Sequence, residues 1–310
     1  MMLLTRCGGR ANAPPMADAT IPVISLHALA PGGRDPAVVE TLGKALEEFG
    51  FVAVTDHAVP ESLLEAAYAE ARALFSLPED VKRSYEDVST GRQRGYTSMG
   101  VEHAKDQAVA DIKEFWHVGR REGNVVPNVE PAEVPDFAPT FNRLFDELDR
   151  VATTLLTSVG AYLGKPDGFF EDFTHGGNSI IRVIHYPPLP DDVEPGAVRA
   201  AAHEDINLMT VLPVATEPGL QLMTREGEWI DVQTPPNVMV CDSGDMMQLL
   251  TGGQLRSTTH RVVNPPGDAN RSRYSMPFFC HPRPDAVLQD EPRVLADDFL
   301  MERLRAIGVA

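Results

Sequence analysis

Between residues 179 and 279 the chain is broken into short apolar runs by turn-forming residues, and this stretch limits the possible folds more than any other feature. The runs cover about 179–186, 203–212, 219–223, 228–232, 237–241, 245–250, 257–263 and 272–279. They are separated by Pro-Pro, Glu-Pro-Gly, Arg-Glu-Gly and Pro-Pro-Gly-Asp. Runs this short, spaced this evenly, are strands of a sandwich or barrel. The first half of the chain reads differently. Asp35 can cap a helix that has Pro36 in its first turn, an apolar face of Val39, Leu42, Leu46 and Phe49, and Gly50 at its end. A buried strand, Phe51 to Thr55, leads into a turn at Asp56-His57-Ala58-Val59-Pro60, and a helix follows from about Glu61 to Phe75. A long helix spans about Thr140 to Leu163, and a last one about Leu295 to Ile307. The edge strand at Ile21–Leu26 keeps Pro22 near its start, where a missing donor does little harm. The fold class is therefore α+β, a rolled β core with flanking helices, mainly N-terminal. The expected organisation is an extension over 1–16, an N-terminal α/β region over 17–165, and the β core with its C-terminal helix over 166–310. Met16 is the expected start.

Residues 86–138 are rich in Gly, Pro and charge and read as long loops with short elements. Arg92, Arg94, Tyr96 and Lys105 in this stretch read as a solvated lid. The chain's 27 basic and 45 acidic residues leave a net charge of −18. This disfavours both nucleic acids and anionic membranes, which attract basic surfaces. Three scattered cysteines, Cys7, Cys241 and Cys280, suit a reducing, cytoplasmic setting and form neither a disulfide framework nor a zinc cluster. No apolar run is long enough to span a membrane.

The chemistry concentrates in His203-Glu204-Asp205. On a strand, residues i and i+2 share a face, so His203 and Asp205 project together. His260, in the β-branched run Ser257 to Val263, is the expected third ligand. Two histidines and one carboxylate on one side of a metal leave positions open, the facial arrangement of non-haem Fe(II) oxygenases. Thirteen residues on, Arg273-Tyr274-Ser275 places a guanidinium and a hydroxyl on one face, with 257–263 and 272–279 read as a hairpin. A guanidinium fork binds a carboxylate bidentately. A dicarboxylic keto acid could thus anchor its far end there and chelate the metal with its near end.

Together these motifs resemble the Fe(II)- and 2-oxoglutarate-dependent oxygenases, specifically their isopenicillin N synthase-like branch. The other markers are Ile21-Pro22-Val23-Ile24, Phe49 to His57, Lys113-Glu114-Phe115, Tyr186-Pro187-Pro188, Gly219-Leu220-Gln221-Leu222 and Gly244-Asp245. The resemblance implies a double-stranded β-helix (jelly roll) with His203, Asp205 and His260 on iron. It also implies that Arg273 and Ser275 hold the distal carboxylate of 2-oxoglutarate and that Tyr186 adds its hydroxyl. The implied activity hydroxylates or desaturates a small molecule, coupling O2 reduction to decarboxylation of 2-oxoglutarate to succinate and CO2. Two alternatives stand beside it: a 2-oxoglutarate-independent Fe(II) oxidase or cyclase of the same family, and a non-catalytic ligand-binding barrel.

The chain departs from the family's pattern in three places. Ile184 stands where Asn is frequent, with His185 or Asn207 as replacements for the lost contact. The Cys241-Asp242-Ser243 segment replaces another Asn and reads as structural. Ala58 replaces a common Gly, so that turn cannot rely on a residue free to take positive φ. His27, His57, His103, His117, His175 and His281 read as satisfied structural residues, and Cys241 and Cys280 as buried hydrophobes.

Overall fold

A computed structural model describes residues 21–30, 34–102, 111–122, 126–190, 196–232 and 235–307. The N-terminal extension with Met16, and Cys7, His103 and Lys105, lie outside the described residues.

In chain order the first half carries β1 (Val23–Ser25), α1 (Pro36–Glu48), β2 (Phe51–Thr55), α2 (Glu61–Phe75), α3 (Glu79–Arg83), β3 (Gly95–Thr97), β4 (Glu114–Gly119), α4 (Phe137–Tyr162) and α5 (Phe169–Thr174). The second half carries β5 (Ile180–Tyr186), β6 (Ala200–His203), β7 (Met209–Leu212), β8 (Leu220–Met223), β9 (Trp229–Asp231), β10 (Met239–Ser243) and α6 (Asp245–Leu250). It ends with β11 (His260–Val262), β12 (Arg273–Ser275), β13 (Phe278–Cys280), β14 (Val287–Gln289), β15 (Val294–Leu295) and α7 (Ala296–Ala306).

The large sheet runs β1-β2-β10-β7-β13-β5-β4-β3, with β12 also on β5, and the small sheet runs β6-β11-β8-β9. Period-2 alternation explains how the large sheet serves two layers. On β5, Ile181 and Val183 enter the core cluster shared with α1, α2 and α4, while Ile184 and Tyr186 pack against Ala200 and Val262 of the small sheet. Phe51 and Val240 of the large sheet likewise meet Leu220 and Leu222 of β8. The two sheets face each other with helices on the large sheet's outer face, the jelly-roll arrangement. The expected Asp35 cap forms, its carboxylate accepting from the Ala37 N–H at 2.9 Å.

Several expected elements differ. Residues 245–250 form a helix, not a strand: a six-residue apolar run between glycines is ambiguous by periodicity alone. The run 203–212 splits into β6 and β7, so Asp205 lies in the intervening turn and not on a strand. The runs 257–263 and 272–279 do not form a hairpin. His260–Val262 pairs with β6 and β8, whereas Arg273–Ser275 pairs with β5 in the other sheet. The Asn264–Asn270 turns cross between sheets, a distinction that local turn chemistry does not carry. Residues 86–138 supply two strands of the large sheet, with β4 wholly buried. At the 56–60 turn, Ala58 takes φ +60° and Asp56 φ +52°, so the chain keeps the left-handed turn without glycine. His57 is the satisfied residue expected there: its Nδ1 accepts from the Val59 N–H at 3.1 Å and its carbonyl from Arg150 at 2.6 Å.

Candidate active site

His203 and His260 face one another directly across the β6–β11 ladder, which brings the two rings to a 4.4 Å centroid separation. Directly opposed cross-strand residues have Cβ atoms about 5 Å apart, close enough to share one ion. The turn after β6 returns Asp205 to the same point, with Oδ1 3.9 Å from His203 Nε2 and 3.8 Å from His260 Nε2. Their potential ligand atoms all lie within 4.8 Å of one another. The backbone holds that turn: the Asp205 carbonyl accepts from the Asp245 N–H at 2.7 Å, and Ile206 from Met246 at 3.1 Å. Gly244 makes room for it. A Cβ there would stand 2.4 Å from the Asn207 carbonyl oxygen and 2.7 Å from that of Asp205.

Each imidazole is oriented through its other nitrogen. His203 Nδ1 lies 2.7 Å from the Ala201 carbonyl and His260 Nδ1 3.1 Å from the Thr258 carbonyl. Nδ1 therefore carries the proton and Nε2 presents its lone pair, the orientation seen in metal-ligating histidines. Burial and the neighbouring His260 push His203 down to about 4, so its ring is neutral at physiological pH. The Thr210 hydroxyl donates to Asp205 Oδ2, and Phe51 stacks edge-on against His260 at 5.6 Å. The donor set fits a divalent iron. Asp242, expected to be structural, lines the same cavity, and burial and the Asp205 charge raise its carboxyl well above the usual range.

Tyr186, Arg273 and Ser275 meet through register. Arg273 pairs with Tyr186 and Ser275 with Ile184 across β12–β5, and all line a cavity of about 960 Å³ that also contains the three metal-site residues. Arg273 is 2% exposed, with its guanidinium 5.1 Å above the Tyr186 ring. Its Nε donates to the Glu217 carbonyl at 3.0 Å, but its enclosed Nη1 has no partner among the described residues. Arg199, also buried, adds like charge nearby. Buried guanidinium donors are seldom left unpaired, so this end of the cavity suits an anion such as a carboxylate.

Ile184 is apolar lining, packed with Phe115, Ala200 and Val262. His185 does not replace the family's Asn. It points away, with Nδ1 2.8 Å from Glu114 and its ring stacked on Tyr274 at 4.7 Å. Asn207 does line the cavity and donates to Thr210 at 3.0 Å.

The solvated-lid reading of Arg94 and Tyr96 is overturned, because both are fully buried. Arg94 donates to Asn178 at 2.8 Å, and Tyr96 to Glu114 at 2.5 Å, where Lys82 also pairs at 2.6 Å. Sequence polarity did not mark these positions as interior, since their burial depends on partners distant in the chain. A second buried polar group lines the cavity. Glu102 bonds Arg182 at 3.0 Å and Lys113 at 2.7 Å, and Lys113 also bonds Asp111 at 2.8 Å. Burial alone would raise the Glu102 carboxyl, but Arg182 and Lys113 outweigh it and hold it well below the usual range. Arg182 Nε donates to His117 Nε2 at 2.8 Å, so His117 is a wall residue of the site and not a loop histidine.

A jelly roll with two histidines and a carboxylate opening into one cavity defines the class of non-haem iron oxygenases. The comparisons agree. Residues 21–140 match the N-terminal region of the non-haem dioxygenases of morphine synthesis, and 177–282 match the 2OG-Fe(II) oxygenase superfamily. A putative 2OG-Fe(II) oxygenase from Caulobacter crescentus is 35% identical, with 94% of this chain and all of that one covered at a TM-score of 0.81. A full-length Neurospora crassa protein solved in complex with alpha-KG is 25% identical over 92% of this chain and 96% of that one, with a TM-score of 0.82. The 2-oxoglutarate-Fe(II) type oxidoreductase hxnY of Emericella nidulans is 29% identical over 84% of this chain and 78% of its own length. The chain belongs to the 2OG-Fe(II) oxygenase superfamily, as an Fe(II)- and 2-oxoglutarate-dependent dioxygenase of the isopenicillin N synthase-like family. Its cofactors are Fe(II), 2-oxoglutarate and O2. Among the described residues no helix is long and apolar enough to cross a membrane.

Proposed function

We propose that His203, Asp205 and His260 hold Fe(II) on one face. Arg273, with the hydroxyls of Ser275 and Tyr186, holds the distal carboxylate of 2-oxoglutarate. The observation that carries this reading is the enclosed, unpartnered Arg273 Nη1 in the same cavity as the His/Asp/His group. Iron with bound 2-oxoglutarate supplies an O2-dependent oxidation in which the keto acid leaves as succinate and CO2. The protein's own residues orient and exclude. The Ala201 and Thr258 carbonyls fix the two imidazoles, Thr210 steadies Asp205, and Ile184, Phe115 and Val262 keep the wall beside the cosubstrate dry. A cavity of this size holds the cosubstrate and a small molecule together. The substrate is a small molecule, hydroxylated or desaturated, and neither nucleic acid nor membrane takes part. The free thiols of Cys241 and Cys280 support a reducing, cytoplasmic setting.

The test is anaerobic titration with Fe(II) and then 2-oxoglutarate, followed by the visible metal-to-ligand charge-transfer band. The band should form in the native protein and be lost in His203→Ala and Asp205→Ala, together with succinate release. A full band in either variant would overturn the ligand assignment. Tight iron binding with no band would overturn the cosubstrate assignment.

A further inference from the structure

His281 follows the last residue of β13, beyond Phe279, and both side chains line the cavity. It is 7% exposed, and its only hydrogen bond among the described residues runs from its backbone N–H to Ser179 Oγ at 3.2 Å. Its Nδ1 is enclosed without a partner, and its Nε2 makes no hydrogen bond among the described residues. It is not one of the grouped metal donors. Burial pushes the imidazole down to about 4; Asp205 opposes that shift and Arg182 adds to it. The ring is therefore neutral at physiological pH and carries one proton. Were that proton on Nδ1, a buried N–H would have no acceptor, the rarer kind of unsatisfied group. On Nε2, the enclosed Nδ1 keeps only a lone pair and the donor is the other ring nitrogen of a residue that lines the cavity. Arg182, on the same wall, is already committed through Nε to His117 and through Nη1 to Glu102.

We propose that His281 contacts the substrate, donating from Nε2 to a carbonyl or hydroxyl oxygen, and so selects oxygen-bearing small molecules over their hydrocarbon counterparts. This rests on the reading of the cavity as the active site. It assigns a specificity role to a residue that the iron and cosubstrate assignments leave unused.

The experiment uses the anaerobic holoenzyme loaded with Fe(II) and 2-oxoglutarate. The probes are 2-pyridone, δ-valerolactam and cyclohexanone, with benzene and cyclohexane as oxygen-free rings of the same size. The readouts are the shift of the charge-transfer band on probe binding and, in air, stimulated succinate release. The oxygen-bearing rings should bind the native protein more tightly than the oxygen-free ones. His281→Phe should weaken them about tenfold, the worth of one hydrogen bond in a buried site. His281→Gln, which restores an N–H donor, should bind within about threefold of the native protein on the same scale. Formation of the unshifted band with 2-oxoglutarate alone confirms that each variant is folded. Equal binding of both probe classes, undiminished binding by His281→Phe, or no probe response in a native protein that does form the band would each overturn the proposal. A native protein that forms no band would instead sink the cosubstrate reading.

Discussion

Replacing Arg273 separates a residue kept for binding from one kept for stability. Arg273 is 2% exposed, makes one bond through Nε, and among the described residues leaves enclosed Nη1 unpaired while like-charged Arg199 stands nearby. In the free protein this arrangement is costly: an enclosed unsatisfied donor costs about 1–3 kcal/mol, more if charged. Arg273→Met should therefore change the free protein's stability little, because losing the charge-assisted bond to the Glu217 carbonyl, about 1.5–3 kcal/mol, is offset by removing the enclosed unpaired donor. It should also abolish the 2-oxoglutarate band. Arg273→Lys keeps the charge but not the fork. Losing one charge-assisted hydrogen bond, about 1.5–3 kcal/mol, weakens 2-oxoglutarate binding roughly 10- to 150-fold. Anaerobic band titration gives the affinities, and urea unfolding of the metal-free protein gives the stabilities. Unchanged 2-oxoglutarate affinity in Arg273→Lys would refute the reasoning, as would a loss of several kcal/mol in Arg273→Met, which would make the residue structural.

Glu102→Gln should destabilise the protein by about 3 kcal/mol at pH 7, because it strips a carboxylate from two buried cations. The depressed Glu102 carboxyl contributes stability above its unfolded value near ~4.3 that is lost as pH falls through the lower folded value. The native urea midpoint should thus drop below about pH 4 more steeply than that of Glu102→Gln; parallel profiles would count against the ion cluster. Gly244→Ala should push the Asp205–Asn207 turn away and cut iron affinity at least about tenfold, read by Fe(II) titration, and native affinity would show that the turn absorbs a methyl group freely. Ala58→Gly should relieve the φ +60° strain and stabilise by about 1 kcal/mol, visible as a rise of ~2 °C in Tm.

What the sequence determined by itself was whatever rests on local spacing. The apolar face and cap of α1, the long helix α4 and the order of most core strands follow from period and turn chemistry. His203, Asp205, His260, Arg273 and Ser275 stood out as candidates because few side-chain types bind a metal or a carboxylate, and Tyr186 through the family resemblance; the structure brings all six to one cavity. Tertiary structure decided what depends on partners far along the chain. Residues 245–250 coil with their first N–H groups held by the Asp205 and Ile206 carbonyls, a contact that their own ambiguous run does not encode. Whether Arg273 joins β11 or β5 was settled by which sheet covers which. The burial of Arg94, Glu102, His117 and His281 was invisible for the same reason. A charged or imidazole side chain reads as exposed until the groups that satisfy it, or conspicuously fail to, are brought beside it.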